Sequence, residues 1–277
     1  MRAIKTIFDF YINSSIHVAL AIVAMSCITY LEFDISFDIN VLSFIGFASI
    51  TGYNFVKYFG LAKFHYRSLS NKLKLIQAFS LISFLVMCFF ALQLNTSSLI
   101  AILIFGIVTF LYAIPLLPNR FFVDKKKKLR SISGLKIYII ALVWAGVTVF
   151  LPLINSGFEI NDDVVLSAVQ RFMFVILLML PFEIRDLNYD SLKLATIPQR
   201  IGVKQTKVIG LLLTFLLMSL EYFKDNINIG HLISLAIIVL TTLLFLNFAT
   251  KQQGKYYSAF WVESLPVCWV MLLLMFS

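Results

Sequence analysis

Apolar residues along this chain gather into nine runs, at residues 11–31, 40–57, 75–94, 98–117, 135–154, 164–182, 206–222, 230–248 and 258–275. Each is long enough, or nearly so, to cross about 30 Å of hydrocarbon as an α-helix. A spanning segment must satisfy its own backbone hydrogen bonds in lipid, which leaves helices or a closed barrel. Barrel strands would be about ten residues long and alternate in polarity, and these runs do neither. The pattern therefore predicts an all-α, polytopic membrane protein of about nine transmembrane helices, one domain spanning residues 1–277.

The polar residues between the runs alternate in sign. Basic residues fall at Arg2 and Lys5, then from Lys57 to Lys74, from Arg120 to Lys136, from Arg185 to Lys207, and at Lys251 and Lys255, which accounts for 21 of the 23. The intervening links carry Glu32, Asp34 and Asp38; Glu159, Asp162 and Asp163; Glu221 and Asp225. Basic loops stay cytoplasmic. The expected topology is thus a multi-pass protein of an inner or cytoplasmic membrane, N-terminus cytoplasmic and C-terminus outside. Two long cytoplasmic loops, about 57–74 and 183–205, can face each other across a bundle mouth.

Composition agrees. Of 277 residues 60% are apolar and 13% charged, and the mean hydropathy is +0.92; a soluble domain carries about twice that charge. The net charge of +9 does not signal nucleic acid, because the cations are confined to short segments between apolar runs. Cys27, Cys88 and Cys268 lie in or near apolar runs and read as small buried hydrophobes. The N-terminal stretch MRAIKTIFDFYINSS has no A-x-A-like site after it, so a cleaved leader is not expected.

The stretch PFEIRDLNYDSLKLATIPQRIGVKQTK, from Pro181 to Lys207, concentrates the chemistry. On a helix Glu183, Asp186 and Asp190 fall at i, i+3 and i+7 and share a face. Like charges there repel unless they are solvated or a cation lies between them. Mg²⁺ suits such oxygen ligands together with substrate phosphates, and Arg185, Lys193, Arg200 and Lys204 could meet phosphate oxygens. Solvated loop charges would leave the same residues in place, so spacing alone keeps both readings open.

EIRDLNYDSLKLATIPQRIG resembles the second aspartate-rich motif of the UbiA-type intramembrane prenyltransferases, D-x-R-D-x-x-x-D followed by T-L-P and a glycine. Glu183 stands at the leading acid, Arg185 and Asp186 at the Arg-Asp pair, Asp190 at the last acid, Thr196 and Pro198 at T-L-P, and Gly202 at the glycine. LYAIPLLP, from Leu111 to Pro118, is similar to the family's Tyr/Pro signature ending the fourth helix. The family's first motif, N-x-x-x-D-x-x-x-D, meets TGYNFVKYFGLAKFHYR. Asn54 matches the asparagine, but Tyr58 and Ala62 stand where the aspartates would be, and no acid occurs between Asp38 and Asp124.

The resemblance implies a UbiA-like helical bundle and a Mg²⁺-dependent enzyme that moves a prenyl group from a polyprenyl diphosphate to a membrane-held hydrophobic acceptor, aromatic quinone precursors among the candidates, releasing pyrophosphate. It implies catalytic roles for Asp186, Asp190 and Asn54. Glu183, Asp186 and Asp190 would be metal ligands, and Arg185, Lys193, Arg200, Lys57, His65 and Arg67 would bind substrate. Basic residues of the first loop could replace metal-mediated contact with the diphosphate. The alternative on the same scaffold is a non-catalytic lipid- or isoprenoid-binding protein. Partners are then lipid, diphosphate and acceptor, with no nucleic acid.

Other polar residues lie inside apolar runs. Asn13 and His17, one turn apart, could contact the acceptor or bond between helices. Arg171 is expected to snorkel toward the outer face. Glu263 either pairs with a cation or lines the cavity. Tyr53 and Tyr112 are candidate mouth-lining aromatics, with membrane-interface anchoring the other reading.

Overall fold

The computed structural model describes residues 2–64, 71–113, 134–188, 196–225 and 227–276, with side chains for all of these except 2, 3, 59–64 and 113. Among them the regular structure is helical throughout. In order the helices are α1 (Arg2–Asn13), α2 (Ile16–Glu32), α3 (Ile39–Phe64), α4 (Asn71–Ala91) and α5 (Thr96–Ala113). Then come α6 (Leu135–Ala145), a π-helical turn (Gly146–Phe150) and α7 (Leu151–Ser156), which form one span. They are followed by α8 (Asp162–Asp186), α9 (Ile197–Glu221), α10 (Ile229–Phe248), a second π-helical turn (Tyr257–Val262) and α11 (Leu265–Phe276).

Seven of the described helical segments are long and apolar enough to cross a membrane, the bent pair α1–α2 makes an eighth, and the shorter apolar helix Thr96–Tyr112 falls on the fourth predicted run. All nine runs therefore coincide with helices. Two boundaries differ from expectation. The first run is not one helix: α1 and α2 meet at 56°, and Ser15 between them adopts φ 64°. The run expected to begin at residue 206 begins at Ile197, because the TIPQRIG segment is itself helical.

Local chemistry sets several helix ends. Asn161 caps α8 by accepting from the Val164 N–H at 3.0 Å. Asp162 and Asp163 follow in the first turn, where the helix dipole favours anions. Asn228 caps α10 through the Gly230 and His231 N–H groups.

Helix α8 lies at the centre, packed on α6, α9 and α10, while α2 packs on α3 and α11. Buried residues make up 61% of the α8 span and only 11% of the α4 span. The core joins Ile22, Met25 and Ile28 of α2, Phe44 and Ile45 of α3, Phe174 to Leu178 of α8, and Leu265 and Trp269 of α11. The outward faces are apolar as well: Leu81, Leu85 and Phe89 on α4, Ile100, Leu103 and Ile107 on α5, and Leu211, Leu212 and Phe215 on α9 are exposed. Such bands in water would aggregate, and in a bilayer they face hydrocarbon. This explains why Cys268, expected to be buried, is exposed, while Cys27 and Cys88 are half-buried: lipid accepts a thiol that water would not favour.

Candidate functional site

One end of the bundle gathers several polar residues around the bend between α1 and α2. A bend exposes backbone groups, and α3 supplies their partners. The Asn54 amide donates to the Ser14 carbonyl at 2.9 Å and to Ser80 Oγ at 2.8 Å, and its oxygen accepts from Ser15 Oγ at 2.8 Å. Lys57 Nζ donates to Ser15 Oγ at 2.9 Å, and the Tyr58 hydroxyl donates to the Asn13 carbonyl at 2.9 Å. Asn54, Lys57 and Tyr58 share one helical face by their i, i+3, i+4 spacing. Asn54 is 3% exposed, so it stands here as a structural node, and Asn13 takes part through its backbone.

His17 joins the same assembly. Its Nδ1 lies 2.7 Å from the Tyr11 hydroxyl, and its Nε2 lies 3.0 Å from the Phe260 carbonyl and 3.2 Å from Ser264 Oγ. Of the two readings for this residue, interhelical bonding is the one seen. Tyr53 accepts a hydrogen bond from Trp144 Nε1 at 2.9 Å and turns its ring toward Lys57, 6.0 Å away.

Across from α3, the end of α8 and the start of α9 form a second unit. Glu183 is buried, and its Oε2 accepts from the Ile197 N–H, the first of α9, at 3.2 Å. Gln199 Oε1 accepts from the Thr196 N–H at 3.1 Å, and Pro198 occupies the first turn, where a missing donor costs nothing. Gly202 then kinks α9 at φ 81°, ψ 163°, a region open almost only to glycine. The TIPQRIG residues that carry the resemblance are therefore a cap, a first turn and a kink anchored on Glu183.

Asp186 ends α8. Its Oδ1 accepts from Arg185 Nε at 2.8 Å, and its Oδ2 lies 3.7 Å from Lys136 Nζ. The helix runs to Asp186, and of the three acids expected on one face Glu183 and Asp186 lie on it. Asp190, Lys193, His65 and Arg67 lie outside the described residues, as does the side chain of Lys63. Arg200 is exposed on the first turn of α9 and does not line the cavity described next.

A cavity of about 630 Å³ opens at this end, lined by Arg185, Asp186, Asn188, Lys251, Gln252, Gln253 and Lys255. Its size is that of an ordinary small-molecule site. Three cations, one carboxylate and three amides suit a polyanionic headgroup. The α10–α11 loop supplies four of these residues, and its two lysines on the predicted cytoplasmic side are the signal the sequence holds for it. The loop is fastened to α8 twice: Asn188 Nδ2 donates to the Lys251 carbonyl at 2.9 Å and Gln253 Nε2 to the Pro181 carbonyl at 3.1 Å. Lys255 pairs with Asp9 of α1, a hydrogen bond that holds its ammonium above the usual lysine range.

Among the described residues no group of three or more His, Cys, Asp or Glu is placed to hold a metal ion. Glu183 is engaged by the α9 backbone, which leaves Asp186 as the described mouth carboxylate from that motif. Mg²⁺ binds commonly through one or two carboxylates plus substrate phosphates, so this donor set fits the ion only with phosphate oxygens present.

The opposite end of the bundle holds a buried charge cluster that the sequence reading missed. Lys224 Nζ pairs with Glu32 Oε1 at 2.5 Å and Glu221 Oε2 at 2.8 Å, and Ser167 Oγ donates to Glu32 Oε1 at 2.5 Å. Arg171 does not snorkel as expected. It is 2% exposed, lies 3.6 Å from Glu32 Oε2, donates to the Met25 carbonyl at 2.8 Å and stacks over Trp269 at 4.9 Å. An ionised guanidinium that deep is tolerable only with such partners. Burial alone would lower the Lys224 ammonium, but Glu32 and Glu221 outweigh it and hold the group above the usual lysine range. The cluster encloses a cavity of about 20 Å³, room for one water, which His231 and Trp269 also line.

Bundle and mouth together define the class: a polytopic membrane protein with the fold of the UbiA-type intramembrane prenyltransferases. Sequence comparison finds no matching family model and no matching curated relative. Among solved structures, the chain is similar to a UbiA homolog from Archaeoglobus fulgidus bound to GPP and Mg²⁺, with a TM-score of 0.64 at 12% identity, covering 96% of this chain and 98% of that one. It is also similar to digeranylgeranylglyceryl phosphate synthase, with a TM-score of 0.57 at 17% identity, covering 100% of this chain and 97% of that one. Likeness over nearly the full length of both chains fixes the architecture.

Proposed function

We propose that the protein transfers a prenyl group from a polyprenyl diphosphate to a hydrophobic acceptor held in the membrane, releasing pyrophosphate. The observation that carries this reading is the cavity where Arg185, Lys251 and Lys255 converge beside Asp186 at the end of α8. A diphosphate placed there meets three cations, while its apolar tail can lie among the bundle helices. Arg185 and Lys57 flank the passage inward, and Lys251 and Lys255 take over the phosphate contacts that the first motif would have supplied through metal. On this reading the mouth faces the cytoplasm, with the N-terminus on the same side and the C-terminus outside.

Asp186, with Asp190 from the adjoining segment, would hold Mg²⁺ together with phosphate oxygens. The ion would neutralise charge on the leaving diphosphate. Glu183 serves the site by anchoring the start of α9, and Asn54 by fixing the bend that Lys57 reaches across.

A second reading is favoured by Tyr58, whose hydroxyl is committed to Asn13 where the resemblance places a metal-binding aspartate: a protein that binds isoprenoid diphosphates without turning them over. One experiment separates the two. Purified protein supplied with Mg²⁺, geranyl diphosphate or a longer homologue, and a panel of phenolic and alcohol acceptors should release pyrophosphate, and Asp186→Asn should abolish the release. Mg²⁺-dependent binding without release supports the second reading, and neither binding nor release overturns both.

A further inference from the structure

The last membrane-crossing segment is irregular where an unbroken helix would be simpler. It begins as a π-helical turn, Tyr257–Val262, passes Glu263 and Ser264, and continues as α11. π-helical turns are rare and collect at functional sites, because the wider turn re-aims the side chains beside it. The residue that follows this one is an acid between buried Val262 and Leu265.

The turn is held from two sides. Gln253 donates to Ser258 Oγ at its start and to the Pro181 carbonyl of α8 at 3.1 Å. His17 of α2 meets the Phe260 carbonyl and Ser264 Oγ on either side of Glu263. Two residues before His17, Ser15 receives the Lys57 ammonium. Glu263 therefore lies in the same layer of the bundle as Lys57, within electrostatic reach of Lys57 and Tyr53 on α3, Arg185 on α8 and Tyr11 on α1, with His17 of α2 beside it through Ser264. Lys57 remains exposed and Tyr53 and Glu263 partly exposed even though helices surround them. That accessible surface leaves all three within reach of a molecule entering from the bundle end.

Glu263 differs from the other carboxylates of this half of the molecule. Asp186 is paired with Arg185 and Lys136, Glu183 accepts from the Ile197 N–H, and Asp9 is bonded to Lys255 and Tyr256. The Glu263 carboxylate has cations within reach but neither a hydrogen bond nor an ion pair at bonding distance among the described residues. A carboxyl group with two cations in electrostatic reach and no donor bonded to it is open to receive a proton from a molecule that reaches it.

We propose that Glu263 is the proton acceptor of the transfer reaction, taking the proton that the acceptor substrate loses as the new bond forms. The inference rests on the prenyl-transfer reading. The bond between the allylic carbon and the bridging oxygen breaks, and its electron pair leaves with the diphosphate toward Arg185, Lys251 and Lys255. The acceptor's nucleophilic atom, a phenolic or hydroxyl oxygen or an activated ring carbon, forms the new bond to the allylic carbon. The proton that this atom sheds moves to the Glu263 carboxylate and then to water at the mouth. The substrate class that follows is an acceptor with a removable proton on its nucleophilic atom.

The test compares wild-type, Glu263→Gln and Glu263→Asp proteins with geranyl diphosphate and a phenolic acceptor across pH, measuring pyrophosphate release, prenyl diphosphate affinity and thermal unfolding. General-base removal should lower turnover by about 10²- to 10⁴-fold in Glu263→Gln. It should also erase the acid limb of the wild-type pH profile while leaving diphosphate affinity and unfolding near wild type. Glu263→Asp should recover part of the rate and the acid limb. If Glu263→Gln keeps wild-type turnover and pH profile, or loses diphosphate affinity as steeply as rate, the proton-acceptor role is overturned while the transfer reading stands. Absence of pyrophosphate release from the wild-type protein overturns the transfer reading and this role with it.

Discussion

Tyr58 donates its hydroxyl to the Asn13 carbonyl at 2.9 Å, tying α3 to the end of α1. An ionised aspartate at this position can only accept, and would face that carbonyl oxygen with its own charge. The tyrosine thus places a structural donor at this position. Tyr58→Phe should cost about 1 kcal/mol, the net worth of one hydrogen bond, and Tyr58→Asp more. Thermal unfolding in detergent checks both, and equal stability of the two variants would show that the contact does not hold the bend.

Asn54 carries more, because three hydrogen bonds converge on one buried amide. Asn54→Ala leaves the Ser14 carbonyl without this donor and the Ser15 hydroxyl without its acceptor, and about 2–3 kcal/mol of destabilisation is expected from groups left unsatisfied. Asn54→Asp keeps the acceptor and loses both donors. It should fall between wild type and alanine if the Ser15 bond dominates, and below alanine if the Ser14 carbonyl does. Unfolding midpoints of the two variants decide between these orders.

Gly202 kinks α9 at φ 81°, ψ 163°, and a Cβ there would meet nothing within 4 Å. The cost of Gly202→Ala is therefore backbone strain rather than collision, of order 1–3 kcal/mol. Since the kink sets how the first turn of α9 meets Glu183, prenyl diphosphate binding at the mouth should weaken together with stability. A fully stable Gly202→Ala protein in a binding and unfolding assay would contradict the strain argument.

Most of the architecture was legible because lipid imposes a single rule on every span, and the nine apolar runs fall on helical structure, the first of them broken in two. The break at Ser14–Ser15 was not, since no proline or glycine marks it and its partners, Asn54 and Tyr58, lie some forty residues away. The α9 start could have been found: Thr196, Pro198 and Gln199 are ordinary N-terminal signals. The charge cluster also left a trace. Arg171 and Lys224 are the two basic residues outside the five basic segments, and they are the two that meet Glu32. What the chain could not reveal was distance, because Glu32 lies 135 residues from its Ser167 donor and 192 from Lys224. The mouth was half legible: Asp186 and Arg185 by motif, Lys251 and Lys255 only as loop charges.

Lys224 lies beyond the end of α9, and its ammonium is held above the ordinary 10.5 by Glu32 and Glu221 in spite of burial. A raised folded pKa stabilises the folded state fully below the unfolded value and loses that contribution as pH rises through the folded one. Stability from this source should be flat through the neutral range and fall only above about 10.5. Lys224→Met should flatten that alkaline decline. Unfolding midpoints measured against pH test the sign: a loss of this contribution on acidification from neutral would contradict it.

Glu32 is the common partner of the cluster, in contact with Arg171, Lys224 and Ser167 at once. Removing its charge leaves two buried cations facing only Glu221. Breaking a buried pair from one side typically costs about 3–5 kcal/mol, whereas replacing the whole pair by apolar groups can cost nothing. Glu32→Gln should therefore destabilise strongly. Arg171→Met should remove the guanidinium from Trp269 and the Met25 carbonyl, with a penalty of its own. The double variant should be more stable than the sum of the two single effects predicts, because each change removes the charge that the other leaves unpaired. Equilibrium unfolding of the four proteins in detergent measures this coupling. Simple additivity would mean that Lys224, not Arg171, is the cation that Glu32 neutralises.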